Sequence, residues 1–199
     1  MTLKREDFST DPFKVFQSWY ELALSTKTKY PDAMTLATTT LDGTPSARMV
    51  LFKKLSQNGI CFFTNYQSRK AQEISQNPQA ALVFYWSALD RQIRIEGKLC
   101  KTSEQESDDY WNSRPRESQL SALASHQSAE IKSRESLESR FFQLQHQWKD
   151  QPVPRPAHWG GYCLTPHRFE FWTEGPHRLH DRFIYTRKNQ EWTLTQLSP

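Results

Sequence analysis

From residue 34 to residue 97 the chain repeats one pattern: a short run alternating apolar and polar side chains, a tight turn, then another such run. Alternation with period two fits a strand with one buried face, whereas helical faces recur every 3.6 residues. Residues 34–40 (Met-Thr-Leu-Ala-Thr-Thr-Thr) form the first such run, and Leu41-Asp42-Gly43-Thr44 is a hairpin turn of Asp-Gly type. Residues 45–54 return as a second strand, and Ser56-Gln57-Asn58-Gly59 turns into a third at 60–64. Residues 80–86 are almost continuously apolar. In 91–97, Ile93 and Ile95 share one face, with Gln92 and Arg94 on the other. Five or six short strands joined by tight turns predict an antiparallel meander that closes into a barrel or sandwich.

Helices are expected around this sheet, giving a mainly β, α+β chain. Asp11-Pro12 reads as an N-cap with proline at the first helical position, and Phe13, Phe16, Tyr20 and Ala23 then share a face before Pro31. A short helix begins at Ser68-Arg69-Lys70 and stops at Asn77-Pro78. Two cations in its first turn oppose the helix dipole unless an anion sits there, although two solvated cations fit the segment equally well. Ser103-Glu104-Gln105-Glu106 is a capping box opening a helix that carries Tyr110 and Trp111 and stops near Pro115. A further helix starts near Ser133, with Leu137, Phe141, Leu144 and Trp148 at helical spacing. A proline-rich connector at 151–156 leads through Trp159-Gly160-Gly161 into the last strands. With no repeat, low-complexity tract or boundary, one domain over 1–199 is expected, with a terminal segment from about 150.

Only 36% of residues are hydrophobic, yet aromatics make up 13%, and large rings bury enough area to build a core. The net charge of +4 comes from cations interleaved with Asp and Glu, not from the basic stripe that nucleic-acid binding usually shows. Small anionic ligands explain the excess as well. Cys61, Cys100 and Cys163 are odd in number, far apart and without metal spacing, so neither a disulfide framework nor a zinc site is expected. No apolar run reaches the roughly 18 residues of a membrane span. A soluble, cytoplasmic protein is the expectation.

Chemistry concentrates in two stretches. Residues 172–182 hold Arg178, His180 and Arg182 next to Trp172, between two alternating runs, with Gly175-Pro176 as turn punctuation. The bland reading is a polar hairpin tip; a site for an anionic or heteroaromatic ligand is preferred. Arg178 and His180, two apart in an extended segment, should face one side. In Arg48-Met49-Val50-Leu51-Phe52-Lys53 the two cations should point to opposite faces of a regular strand, holding different anions or flanking one site. Basic residues interleaved with aromatics suit a ligand both flat and phosphorylated, such as FMN or pyridoxal phosphate. Rossmann and P-loop signatures are absent, as is a nucleophile elbow. A non-enzymatic basic binding module stays open.

Arg48 to Lys53, Phe63-Thr64, Ser68-Arg69-Lys70-Ala71, residues 113–119 (Ser-Arg-Pro-Arg-Glu-Ser-Gln), His126-Gln127-Ser128, Trp159-Gly160-Gly161 and residues 177–182 (His-Arg-Leu-His-Asp-Arg) occur in the order seen in the pyridoxamine 5'-phosphate oxidase family, which the chain resembles from about residue 10 onward. The resemblance implies an FMN-binding split β-barrel and a homodimer with FMN at the subunit interface. It places FMN against Arg48, Met49, Val50, Leu51, Phe52, Lys53, Phe63, Thr64, Arg69, Lys70, Gln92, Gln127, Ser128, Trp172 and Arg182. Gln127 and Ser128, read as part of a helical segment, would serve the neighbouring subunit's flavin. The substrate phosphate would meet Lys53, Tyr110, Arg114 and Ser118, and Arg178, Leu179 and His180 would line the substrate, Arg178 and His180 in the catalytic role. The implied reaction oxidises pyridoxamine or pyridoxine 5'-phosphate to pyridoxal 5'-phosphate, with molecular oxygen reduced to hydrogen peroxide; a split-barrel flavin protein for another substrate is the alternative. Relatives often carry an acidic residue before the proline that is Pro31 here; this chain has Tyr30, with Asp32 just after.

Overall fold

The computed structural model describes residues 3–56 and 59–199, so the middle of the expected turn at 56–59 lies outside the described residues. The strands are β1 (Ala33–Thr39), β2 (Pro45–Leu51), β3 (Lys54–Ser56), β4 (Gly59–Asn65), β5 (Gln79–Trp86), β6 (Arg91–Lys101), β7 (Trp159–Thr173), β8 (Asp181–Lys188) and β9 (Glu191–Leu197). They pair antiparallel in the order β2-β1-β5-β6-β7-β4-β3, with β8 and β9 extending from β7.

This order is not the simple meander expected. The β1–β2 hairpin holds, but β4 lies far from β2 in the ladder, between β3 and β7. Residues 52 and 53 make the switch. Phe52 N–H donates to Asp32 O at 2.8 Å, on the β1 side, and Lys53 N–H donates to Cys61 O at 3.0 Å, on β4. One stretch of chain therefore serves both ends of the ladder and curls the sheet into a half-barrel. Closure of this kind shields edges that would otherwise template aggregation.

The alternating strands fill the inside. Met34, Leu36, Phe62, Phe84, Ile93, Ile95, Phe169 and Phe171 are all fully buried. Each such ring or branched side chain contributes about 2 kcal/mol of burial. Helix α1 (Pro12–Leu24) caps this core, opened by Asp11, whose carboxylate accepts from Phe13 N at 2.9 Å. Its Phe16 packs edge-on against Phe52 and Phe84, with centroids at 5.4 and 5.2 Å.

Outside the barrel, α2 (Arg69–Gln76) follows β4, and α3 (Glu104–Ser113) opens on the expected Ser103–Glu106 capping box. Helix α3 stops just before Pro115, as expected, and this proline is the N-cap of a further helix, α4 (Arg116–Ala124), followed by α5 (Arg134–Gln147). Gln127 and Ser128 consequently lie in the turn between α4 and α5, not on a helix, and Ser128 takes a left-handed φ of 72°. A second apolar cluster of Trp111, Leu120, Val153 and Trp159 sits under these helices. No helix among the described residues is long and apolar enough to cross a membrane.

Two packing details correct or extend the sequence reading. Cys61 and Cys163 are register partners on β4 and β7 and are joined as a disulfide, 102 residues apart in sequence. The expectation of unpaired cysteines fails because strand pairing, not sequence distance, sets which side chains meet. Gly160 and Gly161 lie where no side chain fits. A Cβ would come within 2.3 Å of Tyr66 Oη at Gly160, and within 2.6 Å of Thr102 Oγ1 and 2.8 Å of the Phe63 ring at Gly161.

Candidate functional site

One cavity of about 510 Å³ opens between β2, β4, α2, α3 and α4. Of the expected site residues it gathers Arg48, Met49, Val50, Leu51, Lys53, Phe63, Thr64, Lys70, Tyr110, Arg114, Ser118 and Gln127. Arg48 and Lys53 both line this cavity, in keeping with the alternative that they flank one site. Strand alternation does not fix their relation, because β2 ends at Leu51. Phe52 points instead into the core, among Phe16, Tyr20 and Phe84. Sequence reasoning missed Asn65, Ser121, Ala122, Ser125 and Trp159 as lining residues. Three of these belong to α4 or its C-cap, and the helix formers after Pro115 were the signal that could have found them.

One wall is flat. The Phe63 ring stacks on Tyr110 with centroids at 4.0 Å, and Trp159 lies nearly parallel to both. The remaining surface is cationic, and its cations are held in different ways. Glu73, a buried carboxylate on α2, takes Arg48 Nη2 at 3.0 Å and Arg69 Nε at 2.9 Å, and accepts from Ser46 Oγ at 2.7 Å and from Thr38. Burial raises its pKa, but hydrogen bonds from Thr38, Ser46, Arg69 and Arg48 outweigh that and hold it at about 2.

Among the described residues, Lys70 has no carboxylate partner. Its ammonium, almost fully buried, donates to Gln127 Oε1 at 3.0 Å, Thr64 Oγ1 at 3.3 Å and Ser68 Oγ at 3.4 Å, all neutral. Burial lowers its pKa and nearby Arg48 lowers it further, with Glu73 only partly opposing. Of the two cations in the first turn of α2, Lys70 is thus the one that calls for an anion. Arg114 is a second case. Its guanidinium lies over the rings of Trp159 and Trp111, at 4.6 and 5.2 Å, and its buried Nη1 has no hydrogen-bond partner. Burial lowers its pKa too, and among the described residues no carboxylate lies within ion-pair distance. Lys53 stands beside the cavity paired with Asp32 at 2.7 Å.

Gln127 contacts Lys70 and Thr64 of its own chain. It thereby lines this chain's own cavity. Ser128 and Arg69 line an adjoining cavity of about 330 Å³, together with Gln127 and His126.

The other expected residues do not reach the main cavity. Gln92, Trp172 and Arg182 are register partners on β6, β7 and β8 and form a row across the outer sheet face. Arg182 is fixed by two bonds to Glu170 Oε1, at 2.9 and 2.8 Å, and Arg94 meets the other Glu170 oxygen at 3.3 Å. His180 packs on Trp172 at 4.8 Å, and its Nδ1 accepts from Gly175 N–H at 3.2 Å, so its ring proton is on Nε2. The extended segment predicted around Arg178 is instead a 3-10 turn, Pro176–Arg178, in which His177 and Arg178 both adopt left-handed φ of 58° and 64°. Alternation therefore does not set which way Arg178 faces. Leu179 is largely exposed.

The chain is similar to known proteins. Residues 23–148 match the family profile "Pyridoxamine 5'-phosphate oxidase", and residues 159–199 match "Pyridoxine 5'-phosphate oxidase C-terminal dimerisation region". A pyridoxine/pyridoxamine 5'-phosphate oxidase of Trichormus variabilis is 51% identical over 99% of this chain and 92% of its own. That of Paraburkholderia phytofirmans is 49% identical over 97% and 91%. Among solved structures, PhzG from Burkholderia lata, crystallised with tetrahydrophenazine-1-carboxylic acid, superposes with a TM-score of 0.94 at 34% identity, covering 100% of this chain and 98% of that one. A pyridoxamine 5'-phosphate oxidase-related, FMN binding protein from Nostoc punctiforme shares the fold, with a TM-score of 0.76 at 19% identity over 96% and 100% of the two chains. Matched by the profile over more than half its length and by relatives along nearly all of it, the chain belongs to the pyridoxamine 5'-phosphate oxidase family of oxidoreductases.

Proposed function

We propose that this chain is an FMN-dependent oxidase converting pyridoxamine or pyridoxine 5'-phosphate to pyridoxal 5'-phosphate, with oxygen reduced to hydrogen peroxide. One observation carries the reading. Lys70, a buried cation, and Arg114, whose buried Nη1 has no hydrogen-bond partner, pair with no carboxylate among the described residues and line one cavity with a flat aromatic wall. Two anions and planar rings fit that arrangement better than one small anion does.

Lys70 and Arg48, with Arg69 alongside, would hold the FMN phosphate. Arg114, Lys53, Ser118 and Tyr110 would hold the substrate phosphate. FMN, when bound, supplies the hydride acceptor and the route for electrons to oxygen; the chain's share is binding and orientation. Phe63, Tyr110 and Trp159 keep water from one side of the cavity. Gln92, Trp172 and Arg182 would complete the flavin site in a homodimer, with Arg178 and His180 closing over the substrate's pyridine ring. The Nε2–H that Gly175 leaves free on His180 can donate to an oxygen or nitrogen of that ring.

The test is an absorbance spectrum of the purified protein before and after anaerobic addition of pyridoxamine 5'-phosphate. A bound yellow flavin bleached by the substrate supports the reading, and a colourless protein overturns it. The likeness to PhzG favours a second reading, in which the cavity takes a planar acid without phosphate. Bleaching by such a tricyclic acid but not by the phosphorylated pyridine would select it.

A further inference from the structure

The three cysteines of the chain stand side by side on one level of the sheet. Cys163 of β7 is the register partner of Cys61 on β4 and also of Cys100 on β6. Directly opposed residues of antiparallel strands project to the same face, with Cβ atoms roughly 5 Å apart. Their neighbours agree: Ile60, Leu164 and Leu99, one position away on the three strands, all point into the core. Exposure is graded along the row. Cys61 is buried, Cys163 is intermediate, and Cys100 is an exposed free thiol. Cys61 and Cys163 are joined, their Cα atoms 4.0 Å apart.

We propose that this row is a site of reversible oxidation, in which Cys100 receives the oxidant and passes the disulfide inward to Cys61 and Cys163. Starting from three thiols, hydrogen peroxide oxidises Cys100 to a sulfenic acid, releasing one water. The Cys163 thiolate attacks that sulfur, forming the Cys100–Cys163 disulfide and releasing a second water. The Cys61 thiolate then attacks Cys163 and expels Cys100 as a thiolate, which takes up the proton. The sum is two thiols and one peroxide giving one disulfide and two waters. Cys100 is regenerated, matching the arrangement seen. Position explains why a relay is needed: buried Cys61 is shielded from solvent, and Cys163 is the only cysteine opposite both others. The oxidant class is hydrogen peroxide, and its source within the protein's own turnover rests on the proposed oxidase reaction.

The experiment uses the full-length holoprotein, reduced, desalted and treated with one equivalent of hydrogen peroxide. Samples alkylated over time are digested without reduction and read by mass spectrometry. The expected end state is a Cys61–Cys163 linked peptide with Cys100 alkylated, preceded by a transient Cys100–Cys163 peptide. In Cys100→Ser, the Cys61–Cys163 link should form at least about tenfold more slowly, although Cys100 is no part of it. In Cys61→Ser, the Cys100–Cys163 link should accumulate as the final product. Formation of the Cys61–Cys163 link at the parent rate in Cys100→Ser overturns the relay, as does oxidation that stops at Cys100. Because the peroxide is added, a working relay in a protein that fails to oxidise pyridoxamine 5'-phosphate would discard only the peroxide source.

Discussion

The cations of the main cavity and those of the 174–182 loop are presented in opposite ways. Arg48 and Lys70 sit on a regular strand and helix, Arg114 is the C-cap of α3, and all three line one cavity of a single chain. Arg178 sits on a turn with two consecutive left-handed residues, and His180 follows it against the outer sheet face. Each non-glycine residue in that region costs on the order of 1 kcal/mol or more. The first group is therefore gathered within one chain, where the proposed anions would meet it. The second is held in an expensive shape away from that cavity, as fits residues that complete a site across a dimer.

The largest effect should come from the cavity side. Lys70→Glu puts a carboxylate where a charge-assisted bond to phosphate is proposed, and should weaken FMN binding by roughly 100-fold or more. Riboflavin, lacking the phosphate, should lose far less; equal losses would remove the phosphate from this position. Next, Arg114→Ala should raise KM for pyridoxamine 5'-phosphate by about 10-fold to 100-fold with FMN content unchanged, which steady-state kinetics on the loaded enzyme would show. A substrate lacking phosphate should be indifferent to the change.

On the loop side, Arg178→Ala should slow flavin reduction in single turnover by about 10-fold, again with full FMN content. Reduction at the parent rate under saturating substrate would leave Arg178 a binding role alone. Mixing Lys70→Glu and Arg178→Ala subunits sharpens the comparison. If the two groups of one site come from different chains, mixed dimers hold one site with both lesions and one with none, so activity returns. A mixture as inactive as its parents would place both groups in the same chain.

The smallest effect concerns Glu73. Its pKa is depressed to about 2 from an ordinary 4.5, so its stabilising share is complete above about pH 4.5 and fades as pH falls toward 2. Glu73→Gln should flatten that acid limb of the unfolding curve. The same change leaves Arg48 and Arg69 without their shared carboxylate, so the FMN affinity should shift by less than in Lys70→Glu.

What the sequence made legible was local. The N-cap at Asp11, the capping box at Ser103, the β1–β2 hairpin and the alternation of β6 each depend on residues within a few positions of one another. Most of the cavity's lining was also in hand, but only through resemblance to a family. What stayed hidden depends on distant partners. Nothing near Glu73 on α2 announces that it will gather Arg48 and Ser46 from strand β2. The β4–β7 pairing that unites Cys61 with Cys163 spans the length of the helical region. Residues 52–53 defeated the alternation rule because the strand passes there from one end of the ladder to the other.

Gly160 and Gly161 give the cavity an unusual mutational profile. Neither carries a side chain, yet any side chain at Gly161 would meet the Phe63 ring and Thr102, and at Gly160 the Tyr66 hydroxyl. A saturation library selected for flavin retention should therefore show two unforgiving positions with no chemistry of their own. Met49, a cavity residue whose side chain is largely exposed, should by contrast accept many replacements. In this fold, intolerance to change marks where strands and rings must approach closely as much as where a ligand is held.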